Sequence, residues 1–156
     1  MAGEAHDIEL INTLICSIEG AQVMLPDIAI AEIVEFQPTA AASDDVPTWY
    51  LGKLVWRGLD VPVISLEAMD HDAFFTQGSM LKIIIINATE NRERLPYWGF
   101  VSQETPRMMR INRESIAGDP NAMLGHVEAI RAEVYGDPVM LPDLTKIEQQ
   151  ILALLG

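Results

Sequence analysis

The chain has 156 residues, with 10 Lys and Arg against 23 Asp and Glu, a formal net charge of −13 and mean hydropathy of +0.17. Its length suits one domain that buries about two thirds of its unfolded surface without a metal or disulfide staple. Its acidity, with no basic stripe, excludes a nucleic-acid backbone and an anionic lipid surface as natural partners.

The charge is unevenly spread. No Lys or Arg precedes Lys53, while Glu4, Asp7, Glu9, Glu19, Asp27, Glu32, Glu35, Asp44 and Asp45 do. Five of the ten basic residues fall between Arg92 and Arg113. The lone cysteine, Cys16, lies in an apolar stretch and reads as a small core residue in a reducing compartment. Met1-Ala2-Gly3-Glu4 lacks the basic start and apolar run of a secretory signal, and no run reaches the ~18 apolar residues of a membrane span. The expectation is a cytoplasmic protein.

In chain order, residues 1–11 read as a frayed terminus. Thr13 to Ile18 is a strand, Glu19 to Gln22 a tight turn, and Val23 to Leu25 the return. Ile28, Ile30, Ile33 and Val34 have helical spacing. Residues 37–47 form a loop. Trp49 to Trp56 leads into a hairpin: Arg57 to Asp60 turns and Val61 to Ile64 descends. Pro62 there requires an edge or a bulge, because it lacks an N–H. Asp70 to Ser79 is a polar connector. Met80 to Asn87 is a strand whose unbroken Ile83–Ile86 run calls for cover on both faces. Two strands bend at Thr105-Pro106, residues 112–125 are irregular, and Val127 to Val134 alternates. A turn at 135–138, a return at Val139 to Leu141 and a helix from about Pro142 close the chain, with Ile147, Ile151, Leu154 and Leu155 on one face.

Val23-Met24-Leu25-Pro26-Asp27 recurs as Val139-Met140-Leu141-Pro142-Asp143, each after a glycine three residues earlier. The echo suggests one strand–turn–strand–helix device used once in each of two halves. Short strands, glycine turns and few helices favour small β-barrels over a parallel sheet.

Catalytic sets are missing. There is no nucleophile elbow, P-loop or dinucleotide fingerprint. Asp70, His71 and Asp72 could form a metal clip for a small hydrolase, but neighbours on a loop rarely converge on one ion, and the solvated reading is favoured. No cofactor and no metal are expected. What remains is surface: Trp49, Tyr50, Trp56, Tyr97 and Trp98 lie near turns, as partner-binding aromatics or as plugs of a barrel core. Arg57 sits at the hairpin tip as a partner anchor or as a turn residue paired with Asp60.

The stretch Leu51-Gly52-Lys53-Leu54-Val55-Trp56-Arg57-Gly58-Leu59-Asp60-Val61-Pro62-Val63-Ile64-Ser65-Leu66 resembles the hairpin of the CheW-like domain. Ile30-Ala31-Glu32-Ile33 and Pro47 to Gly52 are similar to its approach segments, and Leu81 to Ile86, Gly99 to Ile111 and Gly136 to Leu155 to its later strands and closing helix. The resemblance implies a mainly β fold of two small SH3-like five-stranded barrels with a C-terminal helix, as a single domain over residues 12–156. It implies a non-catalytic adaptor coupling the cytoplasmic tip of methyl-accepting chemoreceptors to the regulatory domain of a CheA-type histidine kinase, with no membrane insertion. By position it implies partner-binding roles for Ile30, Glu32, Ile33, Gly52, Trp56 and Arg57. Trp56 stands where Leu is usual and Ser65 where Asp is usual. That variant looks closer to ChpC-type members, which act in the type IV pilus (twitching motility) pathway. It also leaves open a regulatory module that competes with the main adaptor.

Overall fold

A computed structural model describes residues 10–39, 45–71 and 78–156. The chain forms two sheets. The six-stranded sheet contains β1 (Ile11–Ile18), β2 (Ala21–Pro26), β8 (Arg107–Ile111), β9 (Ile116–Gly118), β10 (Glu128–Val134) and β11 (Asp137–Pro142), in the order β8-β1-β2-β11-β10-β9. The five-stranded sheet contains β3 (Ile30–Glu35), β4 (Tyr50–Trp56), β5 (Leu59–Ile64), β6 (Lys82–Asn87) and β7 (Tyr97–Ser102), in the order β3-β6-β7-β5-β4. Two helices, α1 (Leu66–His71) and α2 (Leu144–Leu155), complete the set. The mainly β, two-sheet expectation holds, with the three-residue β9 as a sixth strand in one sheet.

Strand alternation divides the apolar side chains among three clusters. Leu14, Cys16, Ile18, Val23, Leu25, Ile64, Ile84, Ile86, Trp98 and Phe100 point between the sheets, where Leu66, Met69, Ile147 and Ile151 of the helices join them. Their in-between neighbours Val61, Val63, Ile83, Ile85 and Val101 line the inside of the five-stranded sheet. Ile15, Met24, Ile111, Ala132, Val134 and Val139 do the same for the six-stranded one. The Ile83–Ile86 run is therefore covered on both faces, as its lack of alternation requires.

Several local expectations change. Residues 28–34 are not helical: a single 3₁₀ turn at Asp27–Ala29 gives way to β3, an edge strand paired antiparallel with β6. A bulge between Ile30 and Glu32 shifts the register, so the apolar spacing drifts away from period two and mimics a helix. Pro62 lies in an interior strand, but the ladder from β5 to β7 runs only over Val63 and Ile64, just past the proline. Asp70 and His71 end an α-helix instead of opening a loop. The two Val-Met-Leu-Pro-Asp copies do not sit one in each half. β2 and β11 lie side by side in one sheet, parallel, with Met140 opposite Val23. Only the second copy starts a full helix, capped by the Asp143 side chain accepting from the Lys146 N–H at 3.0 Å.

Buried carboxylates tie helices to turns. Glu148 on α2 is fully buried and accepts from the Thr89 and Glu90 N–H groups at 2.9 Å each and from Trp98 Nε1 at 3.0 Å. It fixes α2 to the turn between β6 and β7. Glu67 on α1 accepts from the Glu19 N–H at 2.8 Å and from the Ser65 hydroxyl at 2.7 Å, joining α1 to the β1–β2 turn. Burial raises the Glu67 pKa, against the lowering effect of these two bonds.

Glu148→Ala removes the acceptor of three N–H donors, among them the buried Trp98 indole, and should cost about 2–4 kcal/mol in urea denaturation; a loss under about 1 kcal/mol would show that the pin does not hold α2. Cys16 is completely buried, and burial pushes its thiol up to about 12. A thiol reagent at pH 8 should label native protein only as fast as it unfolds, so labelling within the mixing time would contradict this placement.

Candidate partner-binding surface

The hairpin β4–β5 turns through two residues, Arg57 at φ 51° and Gly58 at φ 76°. Two successive positive φ values make the tight turn that matches strand twist, normally an Asn-Gly or Gly-Gly position. Arginine there is strained relative to glycine, and the turn holds it on a short, rigid loop. Five residues before Arg57, Gly52 has φ 114°, a region essentially closed to side chains, and sits at a bulge between Tyr50 and Gly52. The bulge sets the facing of the next four residues: Leu54 and Trp56 inward, Lys53 and Val55 outward.

β3 and β4 are opposite edges of the five-stranded sheet, yet their side chains meet. One oxygen of Glu32 on β3 accepts from Trp56 Nε1 at 3.2 Å and from the Arg57 guanidinium at 2.8 Å. The guanidinium carbon lies 4.5 Å from the Trp56 ring centroid, and Trp56 stacks edge-to-face on Tyr97 at 4.9 Å. The sheet thus curls until its edges are joined through side chains. Arg57 pairs with Glu32, 25 residues away, and not with Asp60; its side chain remains 68% exposed. A neighbouring pair, Lys82 with Glu35, ties β6 to the end of β3.

Of the six residues that the sequence pointed to, the structure brings Glu32, Trp56 and Arg57 into contact. Trp56 is 8% exposed and faces the five-stranded sheet's core, where it supports the guanidinium from below. Ile30 packs against the central core. Gly52 supplies backbone shape. Ile33 is half-exposed on β3, and Val55 and Leu59 add exposed apolar surface on the hairpin itself. Trp98, one of the aromatics at turns, is entirely buried. Ser65 is buried as well, with its hydroxyl on Glu67.

The metal-clip reading placed Asp70, His71 and Asp72 together. Asp72 lies outside the described residues, and the third group near Asp70 and His71 is Glu128 on β10. The Val127 N–H donates to Asp70 Oδ1 at 2.8 Å, and the His126 N–H to the Asp70 carbonyl at 3.0 Å. Arg131 holds Glu128 through Nε and through a second nitrogen at 3.0 Å. The Asp70 carboxylate lies so close to Gly125 that a methyl there would press into it. Burial raises the Asp70 pKa, and the adjacent Glu128 adds to the rise. Burial pushes Glu128 up too, but its hydrogen bonds from the Arg131 guanidinium and that group's charge outweigh this and hold it low. Sequence reading missed this grouping because 57 residues separate Asp70 from its backbone partner Val127, and the alternating stretch Val127 to Val134 gives no sign that Glu128 is buried.

Among the described residues no helix is long and apolar enough to cross a membrane. The CheW-like domain profile matches residues 12–151. No curated protein matches the sequence. The fold is similar to the crystal structure of the scaffolding protein TtCheW from Thermoanaerobacter tengcongensis, with a TM-score of 0.72, 16% identity, and coverage of 89% of this chain and 88% of that one. The structural likeness at that identity speaks for the fold, and the profile spans nearly the whole described chain. The chain belongs to the CheW-like domain family.

Proposed function

We propose that this protein is a non-catalytic scaffold of a bacterial chemosensory pathway that couples the cytoplasmic tips of methyl-accepting receptors to a CheA-type histidine kinase. The observation that carries this reading is the hairpin tip. Arg57 is presented on a rigid two-residue turn, buttressed by Glu32 and Trp56, beside the exposed apolar Val55 and Leu59. A cation fixed next to apolar surface is an efficient anchor, because little side-chain entropy is lost on docking.

The pilus-type assignment rests on Trp56-Arg57-Gly58 and Ile64-Ser65-Leu66-Glu67, which resemble the ChpC-type variant. In this protein both departures from the common pattern point inward: Trp56 faces a core and Ser65 bonds the buried Glu67. They reshape the support beneath the docking surface, not its exposed chemistry. That favours an adaptor that engages its partners over a module that competes with one.

Arg57→Glu should weaken capture of the host's receptor tips or kinase regulatory domain by about tenfold or more, since it reverses the anchor's charge. The melting temperature should stay close to wild type, because an exposed ion pair is worth at most about 1 kcal/mol. Undiminished capture, or a collapse in stability, would refute the anchor role. The −13 net charge adds a second expectation: association should weaken as salt rises from 50 to 300 mM. Binding indifferent to salt would assign the acidity to solubility alone.

A further inference from the structure

The end of α1 meets the start of β10. Three side chains converge there: Asp70, His71 and Glu128, whose ligand-type atoms all lie within 4.8 Å of one another. The Asp70 and Glu128 side chains are 1% and 0% exposed, while His71 is 52% exposed and forms the open wall. Asp70 Oδ1 is satisfied by the Val127 N–H. Asp70 Oδ2 is buried and has no hydrogen-bond partner among the described residues, although His71 Nε2 stands 3.0 Å away and Glu128 Oε2 lies 3.5 Å from the same nitrogen.

A buried carboxylate oxygen without a donor is costly, and native proteins rarely leave one without a water or an ion. The charges agree. Two carboxylates face one guanidinium, Arg131, which pairs with Glu128, so among the described residues the His71 imidazole is the group left to Asp70 Oδ2. Arg131 does not exhaust Glu128, because each carboxylate oxygen has two acceptor sites. The spacings agree as well. Ligands bound about 2.0–2.2 Å from one ion stand roughly 3.0–3.5 Å from each other in octahedral or tetrahedral arrangements. The two edges from His71 Nε2, 3.0 and 3.5 Å, fall in that range.

We propose that Asp70 Oδ2, His71 Nε2 and Glu128 Oε2 bind a divalent transition-metal cation of the zinc class. An imidazole with two carboxylates selects against calcium and magnesium, which prefer all-oxygen sets. The neutral imidazole, with its proton on Nδ1, presents the Nε2 lone pair. The remaining coordination position opens to solvent beside His71. The ion would clamp α1, which follows the five-stranded sheet, to β10 of the six-stranded one. It would act as a structural link between the sheets, independent of the hairpin surface.

The test uses the full chain, stripped of metal with a chelator and titrated with zinc chloride by calorimetry and thermal melting. One zinc per chain and a rise in melting temperature of several degrees are expected. His71→Ala removes an exposed ligand without disturbing the core and should weaken zinc binding about tenfold or more and abolish the thermal shift. Asp70→Asn should do the same; if it fails to fold, the histidine variant decides. The His126→Ala control should bind like wild type. Cobalt added instead of zinc should give a visible absorption band that His71→Ala loses. Zinc binding that survives His71→Ala, or no thermal shift at millimolar zinc, would overturn the site.

Discussion

Strand β6 carries four isoleucines in a row, and both of its faces are buried. Everything else in the structure accommodates that constraint. Sheets normally fix register by contrast, since a one-residue slip turns an apolar face to water. Ile83–Ile86 offers no such contrast: a slip would exchange isoleucine for isoleucine between the central layer and the core of the five-stranded sheet. Register must come from polar contacts that tolerate one alignment only. Glu148 supplies one at the β6–β7 turn, where it reaches two backbone N–H groups and the Trp98 indole together. The Lys82–Glu35 pair supplies another at the strand's opposite end. These polar contacts specify an arrangement that the apolar residues only stabilise.

That division explains what the sequence revealed. The strands and hairpins were legible because β-branched runs separated by glycine turns carry their signal locally. The helical look of residues 28–34 arose from the bulge at Ile30 and Glu32, which breaks period two without making a helix. Helix α1 was hidden because Glu67 and Asp70 look like surface residues while both are buried by partners elsewhere. The repeated Val-Met-Leu-Pro-Asp is legible in the sequence but its placement is not, since no local feature says that positions 23 and 140 are neighbours. At the docking surface Arg57 could be found from its turn, but its partner Glu32 comes from the opposite sheet edge.

The charge distribution also changes meaning in three dimensions. Along the sequence Arg57 and Lys53 are the first cations after an acidic stretch. In the fold, Glu32 is paired with Arg57 and Glu35 with Lys82, so the β3 edge is locally close to neutral. The guanidinium is held in place by one of the acids that seemed to surround it. Its exposed face is therefore oriented before any partner arrives, and long-range attraction depends on the acids placed elsewhere on the surface.

The five-stranded sheet occupies one unbroken stretch, from Ile30 to Ser102, whereas the six-stranded sheet takes its strands from both sides of that stretch. A ribosome delivers the chain in order. β1 and β2 emerge first and can form their hairpin, but β2's other edge stays open until β11 is made, more than a hundred residues later. The inserted sheet can meanwhile assemble from its own contacts. Completion of the first sheet then waits on the last strand and helix, so a nascent or truncated chain exposes a bare, apolar strand edge. The seam between the two echoing strands is where synthesis finishes the molecule, and there a shortened chain would be drawn to aggregate.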